Sequence, residues 1–103
     1  MDGTKVRTIG AGKKGSGDGE LNAPLDVTVL PASGHIAIAD RYNHRVAIFD
    51  GETGSFLRAF GSRGREKDGQ FYLPTALAAD AHDHLLVLDW TDRLQVFGAA
   101  DGR

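Results

Sequence analysis

One stretch of about thirty residues occurs twice in this chain, and that duplication limits the possible folds more than any single residue does. The first copy, GELNAPLDVTVLPASGHIAIADRYNHRVAIF, runs from Gly19 to Phe49; the second, GQFYLPTALAADAHDHLLVLDWTDRLQVF, runs from Gly69 to Phe97. Gly19 and Gly69 stand 50 positions apart, as do Pro24 and Pro74. Asp40 and Asp89 are 49 apart, while Arg45 to Arg93 and Phe49 to Phe97 are each 48. A period near fifty residues, with strand patterning inside it, marks a propeller blade or a related array in which each unit buries its apolar face against a neighbour.

Three short strand-like segments fill each copy. In the first they are Leu25–Leu30, His35–Ala39 and Arg45–Phe49, followed by a fourth at Ser55–Phe60. The second offers Thr75–Ala79, His84–Leu88 and Leu94–Phe97. Short strands bounded by Gly, Asp and Asn turns are the all-β signature. Ile36 and Ile38 lie opposite Ala37 and Ala39, and Val46 and Ile48 opposite Ala47 and Phe49, so these strands are apolar on both faces. Such strands belong to sheets stacked between other sheets around an axis. A β-sandwich accounts for the strands but not for the repeat. The expected fold class is therefore all-β: two four-stranded antiparallel propeller blades in a single segment covering residues 1–103.

Composition excludes little beyond the obvious. Twelve basic and fourteen acidic residues give no bulk charge that demands nucleic acid or a membrane. Without cysteine the chain has neither disulfides nor thiolate metal sites. The opening MDGTKVRTIG holds no apolar core of signal-peptide length, and no apolar run approaches the roughly 18–20 residues of a membrane helix. No membrane partner is expected, and the compartment stays open with the cytoplasm as the expectation.

The stretch IAIADRYNHRVAIFD, with GDGELNAPLDVTV before it and FLRAFGSRG after it, resembles the NHL repeat, a blade of six-bladed β-propellers. The features that carry the resemblance are the Gly-x-x-x-x-Pro leads, the strand ending in Asp40, the Asn43-His44-Arg45-Val46 run and the closing Phe60-Gly61. The second copy keeps Asp89 and Arg93 but has lost the Asn-His pair. On this reading residues 19–61 are a first NHL-like repeat and residues 69–97 a second one without its outer strand. Lys5–Gly10 matches Phe56–Gly61, which makes residues 4–10 an outer strand without its own blade. Each chain then offers what a neighbour lacks. Head-to-tail contacts that close by rotation make rings, and with six blades implied by the resemblance the expectation is a self-assembling homotrimer. The alternative is an excerpt of a longer propeller, or an engineered fragment.

Asp40 ends one strand and Arg45 opens the next, as do Asp89 and Arg93, so each pair is placed to lock a turn by bidentate pairing. Recurrence in both copies favours that structural role over an acid or an anion clamp. The inter-blade loops carry Lys13, Lys14, Arg63, Arg65 and Lys67; the hairpin loops carry Arg41, Tyr42, Asn43, His44 and Trp90. The resemblance places both loop sets on one face, the expected site for a protein or peptide. A rival use of that face is single-stranded RNA, with bases stacked on Tyr42 or Trp90. A second rival is a fragment of a larger metal-dependent lyase or hydrolase. His82-Asp83-His84 is the nearest thing to a metal motif but lacks a third ligand, and Asp26 is a weak candidate for an acidic ring in a channel. No nucleophile elbow or phosphate loop is present. Catalytic residues, metal and cofactor are accordingly not expected, and the chain reads as a non-enzymatic binding scaffold.

Overall fold

A computed structural model describes residues 2–98; Met1 and residues 99–103, which include the tail expected behind the last strand, lie outside the described residues. The chain is all-β. Its strands are β1 (Asp26–Val29), β2 (Ile36–Asp40), β3 (Arg45–Phe49), β4 (Phe56–Phe60), β5 (Ser62–Arg63), β6 (Gln70–Phe71), β7 (Pro74–Ala79), β8 (His84–Asp89) and β9 (Leu94–Gly98). They form a four-stranded antiparallel sheet β1-β2-β3-β4, a three-stranded antiparallel sheet β7-β8-β9, and a short parallel pair β5-β6. Helical geometry among the described residues is confined to one 3-10 turn, Arg41–Asn43. The β5-β6 pair was not visible in the sequence; it closes the second inter-blade loop, as a Lys14–Leu21 bridge closes the first.

Register explains why the strands are apolar on both faces. Ala37 pairs with Ile48 and Ala39 with Val46 on one face of the first sheet; Ile36 pairs with Phe49 and Ile38 with Ala47 on the other. The first of these faces meets the second sheet. Val46 and Ile48 bury there against Leu85, Val87 and Phe97, with Phe71 between the sheets. Phe60, Phe71 and Phe97 pack at centroid separations of 5.2–6.4 Å. Full burial of each such side chain contributes roughly 1.5–3 kcal/mol, so this seam is the main source of cohesion between the sheets.

Two carboxylates stitch the seam at separate places. Asp26 accepts the Leu77 N–H at 2.7 Å, and Asp83 accepts the Ala32 and Ser33 N–H groups at 2.8 and 2.9 Å. Asp26 is therefore tied to β7 instead of standing free in a channel, which corrects the acidic-ring expectation.

The leading segment lies outside both sheets. Lys5–Gly10 forms no strand in this chain. Ile9 packs instead against the far face of the first sheet, beside Ile36 and Phe56 over Ile38 and Phe49. The first sheet thus stands between this segment and the second sheet. Two apolar areas stay open: Val27 and Val29 on the far face of the first sheet, and Leu94 and Val96 on the outer face of the second, each more than half exposed. Among the described residues β9 has no partner on its outer edge.

Candidate functional site

The loops between sheets and the β2–β3 and β8–β9 hairpins gather at one end of the molecule, and their hydrogen bonds show why. Asp40 is completely buried. Its Oδ1 accepts the Asn22 N–H at 2.7 Å, and its Oδ2 accepts Asn43 Nδ2 at 2.8 Å and Arg45 Nε at 2.7 Å. The remaining Arg45 nitrogens donate to the carbonyls of Ser16, Gly17 and Glu20, at 3.1, 3.1 and 2.7 Å. One arginine thereby fastens the hairpin to the inter-blade loop. The pair is joined through Nε alone and not bidentately, because the other guanidinium edge serves backbone oxygens. His44 makes the hairpin possible by taking a left-handed conformation, φ 51°.

The second copy repeats the scheme more loosely. Asp89 accepts the Tyr72 and Thr91 N–H groups, both at 2.9 Å, and the Thr91 hydroxyl. Arg93 lies 3.8 Å from the Asp89 carboxylate, with its Nε donating to Thr91 Oγ1 at 3.2 Å. Its other nitrogens hold the carbonyls of Lys67 and Gln70. Thr91 thus stands between the partners expected to pair directly. Burial opposes the Asp89 charge, yet the bonds from Thr91 and Tyr72 outweigh it and hold the carboxyl below its ordinary range.

Tyr72, which sequence reasoning passed over, is the centre of the exposed chemistry. The guanidinium carbons of Arg63 and Arg65 lie 5.6 and 5.0 Å from its ring centroid. His44 stacks on it at 5.4 Å, and the three residues Arg63, Arg65 and Tyr72 line an open cleft of about 350 Å³. His44 Nδ1 accepts the Leu73 N–H at 3.1 Å, so that nitrogen is unprotonated in this arrangement. Burial, then the nearby Arg63 charge, lowers the His44 pKa. Tyr72 was findable: it sits two residues before Pro74, as Asn22 does before Pro24, in the position whose backbone N–H caps the conserved-in-both-copies aspartate.

The other expected site residues divide. Trp90 stays exposed and its backbone N–H donates to the Tyr72 carbonyl at 3.0 Å, which sets it beside the cluster. Tyr42 is exposed with Arg41 over its ring at 4.6 Å. Asn43 turns inward, donating to Asp40 and to the Gly15 carbonyl at 2.7 Å. Lys13 pairs with Glu20 at 3.2 Å, Lys14 lines a cleft with Lys13 and Tyr42 beside the first sheet, and Lys67 is exposed. His84 Nδ1 is bonded to Asp80 at 2.8 Å within its turn, and no three His, Asp or Glu side chains among the described residues converge as metal ligands.

The NHL repeat profile matches residues 21–49, the span from the Asp40-capping loop through β3. Residues 21–49 are thus similar to one NHL repeat. The chain is similar to the RING finger protein nhl-1 of Caenorhabditis elegans, 47% identical over 53 residues, which is 52% of this chain and 5% of that protein. It is also similar to NHL repeat-containing protein 3 of Homo sapiens, 39% identical over 51 residues, covering 50% of this chain and 14% of that protein. A third relative, peptidyl-glycine alpha-amidating monooxygenase A of Xenopus laevis, is 34% identical over 58 residues, 54% of this chain and 6% of that enzyme. The chain thus spans a small fraction of each relative. Within the NHL repeat, Asp40, Asn43 and Arg45 are the residues whose side chains build the loop end.

Proposed function

We propose that this chain is a β-propeller binding scaffold whose loop end recognises acidic peptide segments. The observation that carries the reading is the cluster of Arg63 and Arg65 against Tyr72, open to solvent beside the exposed Trp90. A guanidinium held on an aromatic face keeps free N–H groups for carboxylates and loses little side-chain freedom on binding. Trp90 supplies an apolar anchor of the kind that dominates interface energetics. Base stacking by RNA fits less well: Tyr72 is already covered by arginines and His44, and Arg41 lies over Tyr42.

The same reading includes self-association. The open faces at Val27 and Val29 and at Leu94 and Val96 expose apolar surface that drives association. Copies of the chain stacking head to tail cover both, and three copies make the six blades that the NHL resemblance implies.

Fluorescence anisotropy tests the binding face, with a labelled Glu-rich peptide bearing one aromatic residue set against its Lys-rich analogue and a mixed-sequence single-stranded RNA. The acidic peptide should bind, and Arg63→Ala with Arg65→Ala should weaken it about tenfold, the loss of one good charge-assisted contact. Binding of the RNA alone, with a steep salt dependence, contradicts this reading.

A further inference from the structure

The two inter-blade loops close on the same turn but differ in one charge. In the first, the Gly15 N–H donates to the Leu21 carbonyl, and Glu20 Oε1 accepts the Gly17 N–H at 3.0 Å. In the second, the Gly64 N–H donates to the Phe71 carbonyl, and Gln70 Oε1 accepts the Lys67 N–H at 3.2 Å. Glu20 and Gln70 therefore serve the backbone alike. The Glu20 carboxylate also pairs with Lys13 at 3.2 Å, whereas Gln70 has no charge to offer. An amide in place of the acid keeps the turn and drops the counter-charge.

The consequence falls on Arg63 and Arg65. A Cβ on Gly64 would collide with Gln70 Oε1, so this side chain rests against the residue that separates the two arginines. Among the described residues neither guanidinium lies within salt-bridge distance of a carboxylate. Both lean on Tyr72 and line one open cleft with it. Two like charges on one ring repel, and a multiply charged anion between them relieves the repulsion. His44 adds a donor to the cluster. With Nδ1 accepting the Leu73 N–H, its neutral ring carries the proton on Nε2.

We propose that this cleft recognises a phosphorylated side chain, phosphoserine in its simplest form. The proposal rests on the acidic-peptide reading and names the group that the two arginines select. A carboxylate has one charge and two oxygens, which a single guanidinium fork satisfies. A phosphomonoester carries about −1.5 to −2 charges and three acceptor oxygens. It can engage both forks and His44 together. Exposed Trp90, beside the cluster, takes an apolar residue next to the phosphoserine. A phosphodiester of RNA, with one charge and two free oxygens, matches the pair of arginines no better than a carboxylate does.

Anisotropy of a short labelled peptide of neutral residues, with tryptophan beside one phosphoserine, tests this. It should bind about tenfold tighter than its Glu analogue, the gain of one charge-assisted contact, and far tighter than its Ser parent. Gln70→Glu puts a carboxylate beside both arginines and should weaken the phosphopeptide about tenfold. Its urea midpoint should match wild type, because Glu20 makes the same turn. Arg65→Gln, at an exposed position, should weaken binding by a similar factor. Glu20→Gln, in the other loop, should leave it unchanged. Equal affinities for the phosphoserine and Glu peptides, both lost in Arg63→Ala with Arg65→Ala, overturn the phosphate selectivity and leave the acidic-peptide reading standing. Binding of neither peptide, or of single-stranded RNA alone, overturns both. Wild-type phosphopeptide affinity in Gln70→Glu or Arg65→Gln overturns the assignment to this cleft.

Discussion

Asp40 and Arg45 show at single-residue scale what the repeat motif is for. A fully buried carboxylate with three donors, and a guanidinium that serves one carboxylate and three carbonyls, hold two loops that would otherwise carry unpaired backbone groups. Removing Arg45 leaves the buried Asp40 with the Asn22 and Asn43 donors but without its counter-charge, which costs about 3 kcal/mol. Arg45→Ala should therefore lose about that much in urea unfolding, and Arg93→Ala clearly less, because Thr91 already satisfies Asp89. Equal losses would contradict the unequal geometry. The sequence made both pairs legible through their recurrence. It did not show Thr91 as the intermediary or Tyr72 as the platform, since neither repeats in the first copy: Tyr42 stands for Thr91 there and Asn22 for Tyr72. His44 adds a pH dependence. Folding lowers its pKa from the ordinary 6.5, so the unfolded chain binds the proton more tightly. Stability is intact above about pH 6.5 and falls as the pH drops below it. His44→Gln should flatten that part of a pH–stability curve measured by chemical denaturation.

At the scale of elements, the two-sided apolar strands were readable because the β2–β3 pairing follows the alternation throughout: Ala37 with Ile48 faces one way, Ile38 with Ala47 the other. Strand ends were less readable, as β1 is only Asp26–Val29 within the apolar Leu25–Leu30 run. Gly61, between β4 and β5, shows a constraint that no pattern reveals. Its φ is +106° and an added Cβ would sit 2.5 Å from the Phe71 ring. Gly61→Ala should cost about 2–3 kcal/mol from strain and overpacking together. Gly34, also left-handed at φ +77° but with open space around it, should cost about 1 kcal/mol on the same substitution. Thermal unfolding of the two variants separates the contributions; equal losses would mean that contact with Phe71 contributes nothing.

For the whole molecule, the phase of the repeats mattered more than their number. The match between Lys5–Gly10 and Phe56–Gly61 was legible, but the segment's resting place on the far face of the first sheet was not, because it depends on which sheet face Ile9 covers. In the structure that segment lies on one side of the first sheet and the second sheet, whose β9 edge has no partner among the described residues, on the other. Val27, Val29, Leu94 and Val96 mark the surfaces that another copy would cover. Sedimentation equilibrium of the 103-residue chain decides the matter. The account predicts a concentration-dependent species approaching three times the single-chain mass of 11.0 kDa, and a stable monomer across the accessible concentrations would contradict it.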